Sequence, residues 1–131
     1  MNQDPELIEL DRIGKIIVDC AFKVHKILGP GLLESVYETC LFHELTKRGL
    51  KVRRQLDLPI RYEDILLESG LRIDLLVENK IIIELKAVEK MHPVFEAQIL
   101  SYLKLAQKRL GYLINFNTVL FKDGIKRVIY S

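Results

Sequence analysis

The amino-acid sequence predicts an α/β (α+β) domain in which an antiparallel meander of strands is flanked by helices. Three observations predict this class: helical spacing of apolar residues in the first third of the chain, strand-like alternation in the middle, and one further helical stretch between the meander and two final strands. The chain has 131 residues, enough to bury one hydrophobic core. We therefore expect a single domain over residues 1–131.

The composition favours a folded protein of the cytoplasm. Hydrophobic residues make up 49% and charged residues 29%, which is typical of globular domains. A formal charge of +2 is too small to identify a nucleic-acid binder by itself. No apolar run of about 18 residues occurs and the N-terminus is acidic, so we expect neither membrane insertion nor secretion. Cys20 and Cys40 lack the close pairing of a zinc site and are expected to be buried thiols.

Two helices are predicted before the sheet. Asp4-Pro5-Glu6 begins the first helix, because Asp caps free amides and Pro suits the first turn; the helix runs to about Leu28. Gly29-Pro30-Gly31 ends it, and a second helix follows at once and ends before Gly49. His25 adjoins the apolar face and is expected to pack there rather than bind a ligand. The apolar face of the first helix consists of Leu10, Ile13, Ile17, Cys20, Ala21, Val24 and Leu28.

Strand-like runs follow the second helix. They cover residues 51–62, 65–68, 71–78 and 80–87, and short polar turns separate them. His92-Pro93 begins a third helix that ends before Gly111. Two strands, at about 111–116 and 119–130 with a turn at Lys122-Asp123-Gly124, complete the chain. The packed side of the third helix consists of Phe95, Ile99, Tyr102 or Leu103, and Ala106.

The hairpin of residues 71–87 brings three ionisable residues to one face. Its two apolar sets can share a core only if Leu75 lies opposite Ile83. In that register Asp74 lies opposite Glu84, and Lys86 follows two residues later on the same face. The apolar sets are Leu71, Ile73, Leu75 and Val77 on one strand and Ile81, Ile83 and Leu85 on the other.

Positive charge is expected between Asp74 and Glu84. Two unit charges about 4 Å apart repel by about 4 kcal/mol at a surface-like dielectric, and the opposed Leu76 and Ile82 would shield the acids from water. A hard divalent cation prefers oxygen ligands, and a water beside it and Lys86 is suited to phosphodiester cleavage. The same residues also fit a solvated salt-bridge cluster on the outer face of the hairpin.

Three motifs resemble those of the PD-(D/E)xK nuclease superfamily. Its core motif corresponds to Ile73-Asp74, nine residues, and then Glu84-Leu85-Lys86, with Ile73 where the superfamily has proline. Gly31-Leu32-Leu33-Glu34-Ser35-Val36-Tyr37 resembles the signature of the GxxExxY group of small bacterial and archaeal proteins. Gln98-Ile99-Leu100-Ser101-Tyr102 resembles the QxxxY motif of RecB-like nucleases. The resemblance runs from about residue 10 to residue 130.

The resemblance implies a restriction-endonuclease-like core with a mixed central sheet and a nuclease that depends on Mg²⁺ or Mn²⁺. Lys86 would orient or activate the attacking water. Gln98 and Tyr102 would orient Lys86 or contact the nucleic-acid backbone. The implied metal ligands are Asp74, Glu84, Glu34 and the carbonyl of Leu85.

Some of these residues also have simpler interpretations. Glu34 would favour the positive end of a helix even without a metal. Tyr37 and Tyr102 would also fit the edge of an apolar core.

The expected partner is a nucleic acid, and the resemblance implies DNA. A candidate phosphate-binding patch lies in a stretch without acids, although it also fits a solvated helix end. The rival to a nuclease is a non-catalytic nucleic-acid-binding or assembly module with the same fold, because the short chain leaves little room for a recognition domain. A homodimer or a subunit of a larger complex is a third interpretation. The patch consists of Lys47, Arg48, Lys51, Arg53 and Arg54.

Overall fold

The computed structural model describes residues 3–131, which form three α-helices and a five-stranded sheet. The predicted α/β class is confirmed. In chain order the elements are α1 (Pro5–Leu28), α2 (Glu34–Lys47), β1 (Val52–Tyr62), β2 (Ile65–Val77), β3 (Ile81–Lys86), α3 (Pro93–Ala106), β4 (Leu110–Asn115), a 3₁₀ turn (Phe121–Asp123) and β5 (Ile125–Ile129).

The strands lie in the order β1-β2-β3-β4-β5. The β3–β4 pair is parallel, because α3 carries the chain back across the sheet, and the other pairs are antiparallel. This is the mixed sheet with an antiparallel meander that was predicted. One core lies between the sheet and the helices α1 and α2, and a second core lies between the opposite face and α3. The central strands β3 and β4 are therefore buried on both faces, whereas most of β1 and the first half of β2 are exposed.

The helix boundaries follow the predicted signals closely. One carboxylate oxygen of Asp4 accepts the amides of Glu6 and Leu7 at 3.0 and 3.3 Å and so caps α1. Gly29 and Gly31 have φ values of +71° and +98°, which glycine adopts at little cost and other residues rarely adopt. The sharp corner between α1 and α2 thus has a local cause.

Two strand predictions were wrong. The runs 65–68 and 71–78 form one strand, β2, which continues through Ser69-Gly70 across a register shift in its pairing with β1; the missing side chain of Gly70 leaves space for Ile60 there. The predicted strand 119–130 is shortened to β5, because Phe121 begins the 3₁₀ turn and packs into the first core. Burying this aromatic ring takes precedence over the continuation of the strand.

The predicted apolar face of β2 was also wrong at two of its four residues, Leu71 and Ile73. Leu75 and Val77 pack against α1 and α2, whereas Ile73 belongs to the core under α3. Leu71 is buried but belongs to neither core. The prediction assumed one apolar face, but both faces are apolar here, so the side of each residue depends on local backbone geometry. The face expected to be the outer one is covered by α3.

His25 and the cysteines have structural environments. His25 is 7% exposed, and its Nε2 lies 2.7 Å from the carbonyl oxygen of Thr118, so it is the packing histidine that was predicted. Cys20 is a buried free thiol, as predicted, whereas Cys40 is only half-buried. Across residues 3–131, we find no helix with the length and apolar character needed to span a membrane.

Candidate active site

The β2–β3 hairpin has the predicted register: Leu75 pairs with Ile83, and Leu76 pairs with Ile82. The paired stretch ends at Leu75 and Ile83, the immediate neighbours of Asp74 and Glu84 in the chain. Beyond it, Glu84 Oε2 accepts the Asp74 amide at 2.9 Å, and Asp74 Oδ2 accepts the Leu85 amide at 2.8 Å. Each carboxylate is therefore held by the backbone of the opposite strand.

Burial and a neighbouring carboxylate, Asp74 for Glu84 and Glu38 for Asp74, disfavour the charge of both acids. Glu84 is 4% exposed, and its burial, with the nearby Asp74 carboxylate as the second cause, raises its pKa to about 8. Burial also raises the pKa of Asp74, although the hydrogen bond from the Leu85 amide opposes this. Burial and like charge therefore oppose ionisation of this pair, whereas a bound cation would favour it.

Lys86 approaches the acids but does not neutralise them. Its Nζ lies 4.5 Å from the ring centroid of Phe95 on α3, a cation–π contact. Its charge lowers the pKa of Glu84, yet the net shift remains upward. No ion pair within 4 Å joins Lys86 to Asp74 or Glu84 among the described residues. A solvated salt-bridge cluster therefore does not describe this site.

Glu34, the first residue of α2, lies within electrostatic range of the hairpin acids. Although its side chain is exposed, partial desolvation raises its pKa first and the Asp74 carboxylate second, while Lys86 lowers it. Because Lys86 and Asp74 both act on it, the three residues share one region of the molecule.

Tyr37 fixes the corner that precedes Glu34. It is fully buried, its hydroxyl donates to the Gly29 carbonyl at 2.6 Å and accepts the Leu32 amide at 3.1 Å, and its ring stacks on Phe116. Tyr37 is therefore a core residue with a structural role, and it does not lie at the core edge.

Gln98 and Tyr102 approach from α3, and both are half-buried. Burial raises the pKa of Tyr102, the charges of Glu84 and Asp74 raise it further, and a hydrogen bond with Gln98 lowers it. The structure thus brings residues of α2, α3 and the hairpin to one region, as the resemblance implied.

Two residues of this region were missed by the sequence analysis. Glu38 is 8% exposed, and the side-chain amide of Gln55 donates to it and, at 3.3 Å, to Asp74 Oδ1. Glu38 could have been found, because it lies four residues after Glu34 and so shares its helix face. No sequence signal marks Gln55. Its position depends on a φ of +46°, which is unusual for this residue type and which the sequence pattern does not show.

Two members of the basic patch have carboxylate partners, and the other three differ from them. Arg54 forms an ion pair with Glu38 at 3.2 Å and lies over the Phe42 ring, and Lys47 lies 3.8 Å from Glu44. The ion pairs within residues 3–131 leave three members without a carboxylate partner, namely Arg48, Lys51 and Arg53. These three remain candidates for phosphate contacts.

The donor chemistry of the site fits a hard divalent cation. Asp74, Glu84 and Glu34 offer only oxygen atoms, and Mg²⁺ usually takes one or two carboxylates and keeps several waters. In the part of the chain that the structure describes, no three His, Cys, Asp or Glu side chains are already arranged to enclose an ion. The Leu85 amide contacts Asp74, and its side chain packs in the first core. A cation would therefore have few protein ligands here.

Comparison with known proteins agrees with this geometry. A family model of the PD-(D/E)XK nuclease superfamily matches residues 11–128. No individual curated protein matches the chain at a significant level. The match spans nearly all of the five-stranded sheet and its flanking helices, and that mixed α/β architecture is consistent with a restriction-endonuclease-like fold. The chain therefore belongs to the PD-(D/E)XK nuclease superfamily.

Proposed function

We propose that the protein is a metal-dependent nuclease that hydrolyses phosphodiester bonds of DNA and uses Mg²⁺ or Mn²⁺. The observation that supports this best is the Asp74–Glu84 pair, two shielded carboxyl groups fixed by backbone amides at the end of a paired stretch. Their raised pKa values indicate that this position favours a positive charge that Lys86 does not fully supply.

The proposed cation ligands are Asp74, Glu84, Glu34 and the Leu85 carbonyl. When bound, a divalent cation activates a water molecule as the nucleophile and neutralises charge on the phosphate. The Glu84 carboxyl would have to lose its proton to serve as a ligand. Glu34 is more exposed than the hairpin acids, so it can adjust to the ion.

Lys86 would donate hydrogen bonds to the attacking water or to a phosphate oxygen. The Phe95 ring restricts the position of its ammonium group. Because the pKa of Tyr102 is raised, its hydroxyl keeps its proton and can donate to the attacking water or to the phosphate. The hydrogen bond with Gln98 would orient this hydroxyl.

We also propose that the chain belongs to the GxxExxY group. The three fixed positions of that signature have physical reasons in this fold. Gly31 adopts a φ of +98°, and the Tyr37 hydroxyl forms hydrogen bonds with the backbone of the corner between α1 and α2. Glu34 lies between these two residues in the chain and is close enough to Asp74 to feel its charge. Support for the group assignment thus comes from the role of each position.

A cleavage assay on single- and double-stranded DNA and RNA, with Mg²⁺ or Mn²⁺, tests the proposed activity. We expect wild type to cleave DNA, and Asp74→Ala and Glu84→Ala to lose about 100-fold or more, as when an essential electrostatic group is removed. Glu68→Ala, which removes an exposed acid from the same strand as Asp74, is the matched control and should keep full activity.

Two outcomes would contradict the proposal. Activity that survives both Asp74→Ala and Glu84→Ala would show that another site, or a contaminant, cleaves the substrate. Binding of nucleic acid without cleavage under any metal condition would favour the rival interpretation, a non-catalytic binding or assembly module.

A further inference from the structure

Gln55 on β1 is a conformational outlier beside the candidate site. Its φ is +46°, in the left-handed region, although it is not a glycine and lies within a strand. Residues other than Gly, Asn and Asp rarely adopt this conformation, and it persists only where the surroundings fix it. The contacts of the side chain indicate what fixes it.

The side-chain amide of Gln55 joins three charged residues. Its nitrogen donates to a carboxylate oxygen of Glu38 and to Asp74 Oδ1, and its oxygen accepts Arg72 Nε at 2.8 Å. The orientation of the amide follows from its neighbours, because a carboxylate only accepts and a guanidinium only donates.

These contacts restrain the Asp74 carboxylate at both oxygens. The Leu85 amide donates to Oδ2 and Gln55 donates to Oδ1, so rotation of the group would break one of the two hydrogen bonds. Each carboxylate oxygen has two lone pairs, so each can still accept a further ligand. The group is thus held in place while it remains available to a cation.

The Gln55 bridge also connects Asp74 to Glu38 on α2. Glu38 is itself held by Arg54, whose NH2 group lies 3.2 Å from the Glu38 carboxylate. Helix α2 also carries Glu34 at its first turn, so the bridge connects the hairpin acid to the helix that supplies the third carboxylate. This connection is therefore one of the contacts that set the relative placement of Asp74 and Glu34.

We propose that Gln55 is a positioning residue that fixes the Asp74 carboxylate, through its bridge to Glu38, for binding of a divalent cation. This inference rests on the proposed metal site. Residues that orient metal ligands typically change the affinity by 10- to 100-fold when they are removed.

Calorimetric titration with Mn²⁺, together with thermal unfolding, tests this role. We expect Gln55→Gly to bind Mn²⁺ about tenfold or more weakly than wild type, because the amide is lost. Its melting temperature should change little, because glycine adopts the left-handed backbone freely and this offsets the hydrogen bonds lost with the amide. A merely structural residue would not show this separation of affinity from stability.

Gln107→Gly is a matched control. Gln107 is a second glutamine in the left-handed region, with φ +58°, and it is exposed at the end of α3. The substitution relieves the same kind of backbone conformation without touching Asp74. We expect the affinity for Mn²⁺ to stay at the wild-type value.

The outcomes separate this inference from the proposed function. Equal Mn²⁺ affinity of wild type and Gln55→Gly would overturn the role of Gln55 and leave the nuclease proposal standing. Absence of Mn²⁺ binding by wild type would overturn both. If Gln55→Gly does not fold, Gln55→Asn replaces it, because Asn tolerates this backbone but is one methylene too short to reach both carboxylates; unchanged affinity there would also overturn the role.

Discussion

Glu84 combines deep burial with an ionisable group at the centre of the candidate site. It is 4% exposed, and its pKa is raised to about 8, first by burial and then by Asp74. Near neutral pH and without a cation, the carboxyl therefore keeps its proton. The folded protein favours the neutral form, whereas the proposed reaction requires the charged form.

Glu84 should make the metal-free protein less stable as pH rises. Its ordinary pKa is 4.5, so between pH 4.5 and about 8 the unfolded chain has lost a proton that the folded chain keeps. The free energy of unfolding then falls across this window and the contribution is constant above it. Since one pKa unit corresponds to about 1.4 kcal/mol, the total is on the order of a few kcal/mol.

Urea unfolding of wild type and Glu84→Gln from pH 5 to pH 9, without metal, measures this contribution. Gln cannot ionise, so the variant should gain stability relative to wild type as pH rises, although it loses the proposed activity. A stability difference that does not change with pH would contradict the raised pKa. Taking the difference between the two proteins removes the contributions of titrating groups that do not interact with Glu84.

The site could be predicted from the sequence where side-chain alternation or a recognisable motif marks its residues. The pairing of Leu75 with Ile83 followed from alternation and places Asp74 and Glu84 together. Gln55 could not be predicted, because its position depends on a backbone angle that sequence pattern does not report. Glu38 was within reach of helical spacing but has no motif of its own.

At the scale of elements, the hydroxyl of Tyr37 holds the corner between α1 and α2. Tyr37→Phe would leave the Gly29 carbonyl and the Leu32 amide without this partner, and we expect a loss of about 1–3 kcal/mol in the free energy of unfolding. Urea denaturation measures it. Tyr62→Phe, at a side chain that is 63% exposed, is the matched control and should have little effect. Equal stability of Tyr37→Phe and wild type would show that the corner does not need these bonds.

Elements with local signals were predicted well. The cap at Asp4 and the Gly29-Pro30-Gly31 corner act within a few residues, so α1 and α2 were correctly bounded. Ser69-Gly70 also has the composition of a turn, yet β2 continues through it, and its pairing with β1 resumes after a register shift. Phe121 was assigned to a strand, although packing against α1 draws it into a 3₁₀ turn. Both predictions were wrong because contacts between residues distant in sequence determine the structure at these positions.

At the scale of the whole molecule, the central strands of the sheet are covered by helices on both faces. Leu76 and Ile82 were expected to shield Asp74 and Glu84 from water, and α3 adds to this cover, because it lies against the same face and supplies Phe95 and Tyr102. A single sequence does not show that a later helix returns across the sheet. This cover explains why the acids are shielded and why their pKa values are raised.

The basic patch makes a prediction about binding of DNA. Replacing both Lys51 and Arg53 by alanine should weaken binding and lower the slope of log affinity against log salt by about two, if each contacts one phosphate. Fluorescence anisotropy of labelled duplex DNA at several salt concentrations measures the slope. Alanine replacements at Lys26 and Lys122, exposed cations outside the patch, form the matched control. An unchanged slope in the Lys51 and Arg53 variant would place the phosphate contacts elsewhere.

The most direct test of the proposed site is a crystal structure of the protein soaked in Mn²⁺ at millimolar concentration, with anomalous scattering to locate the ion. We predict an anomalous peak between the carboxylates of Asp74 and Glu84, with Glu34 turned toward it. A well-diffracting crystal with no peak at these carboxylates, or with Mn²⁺ bound only elsewhere, would contradict the account.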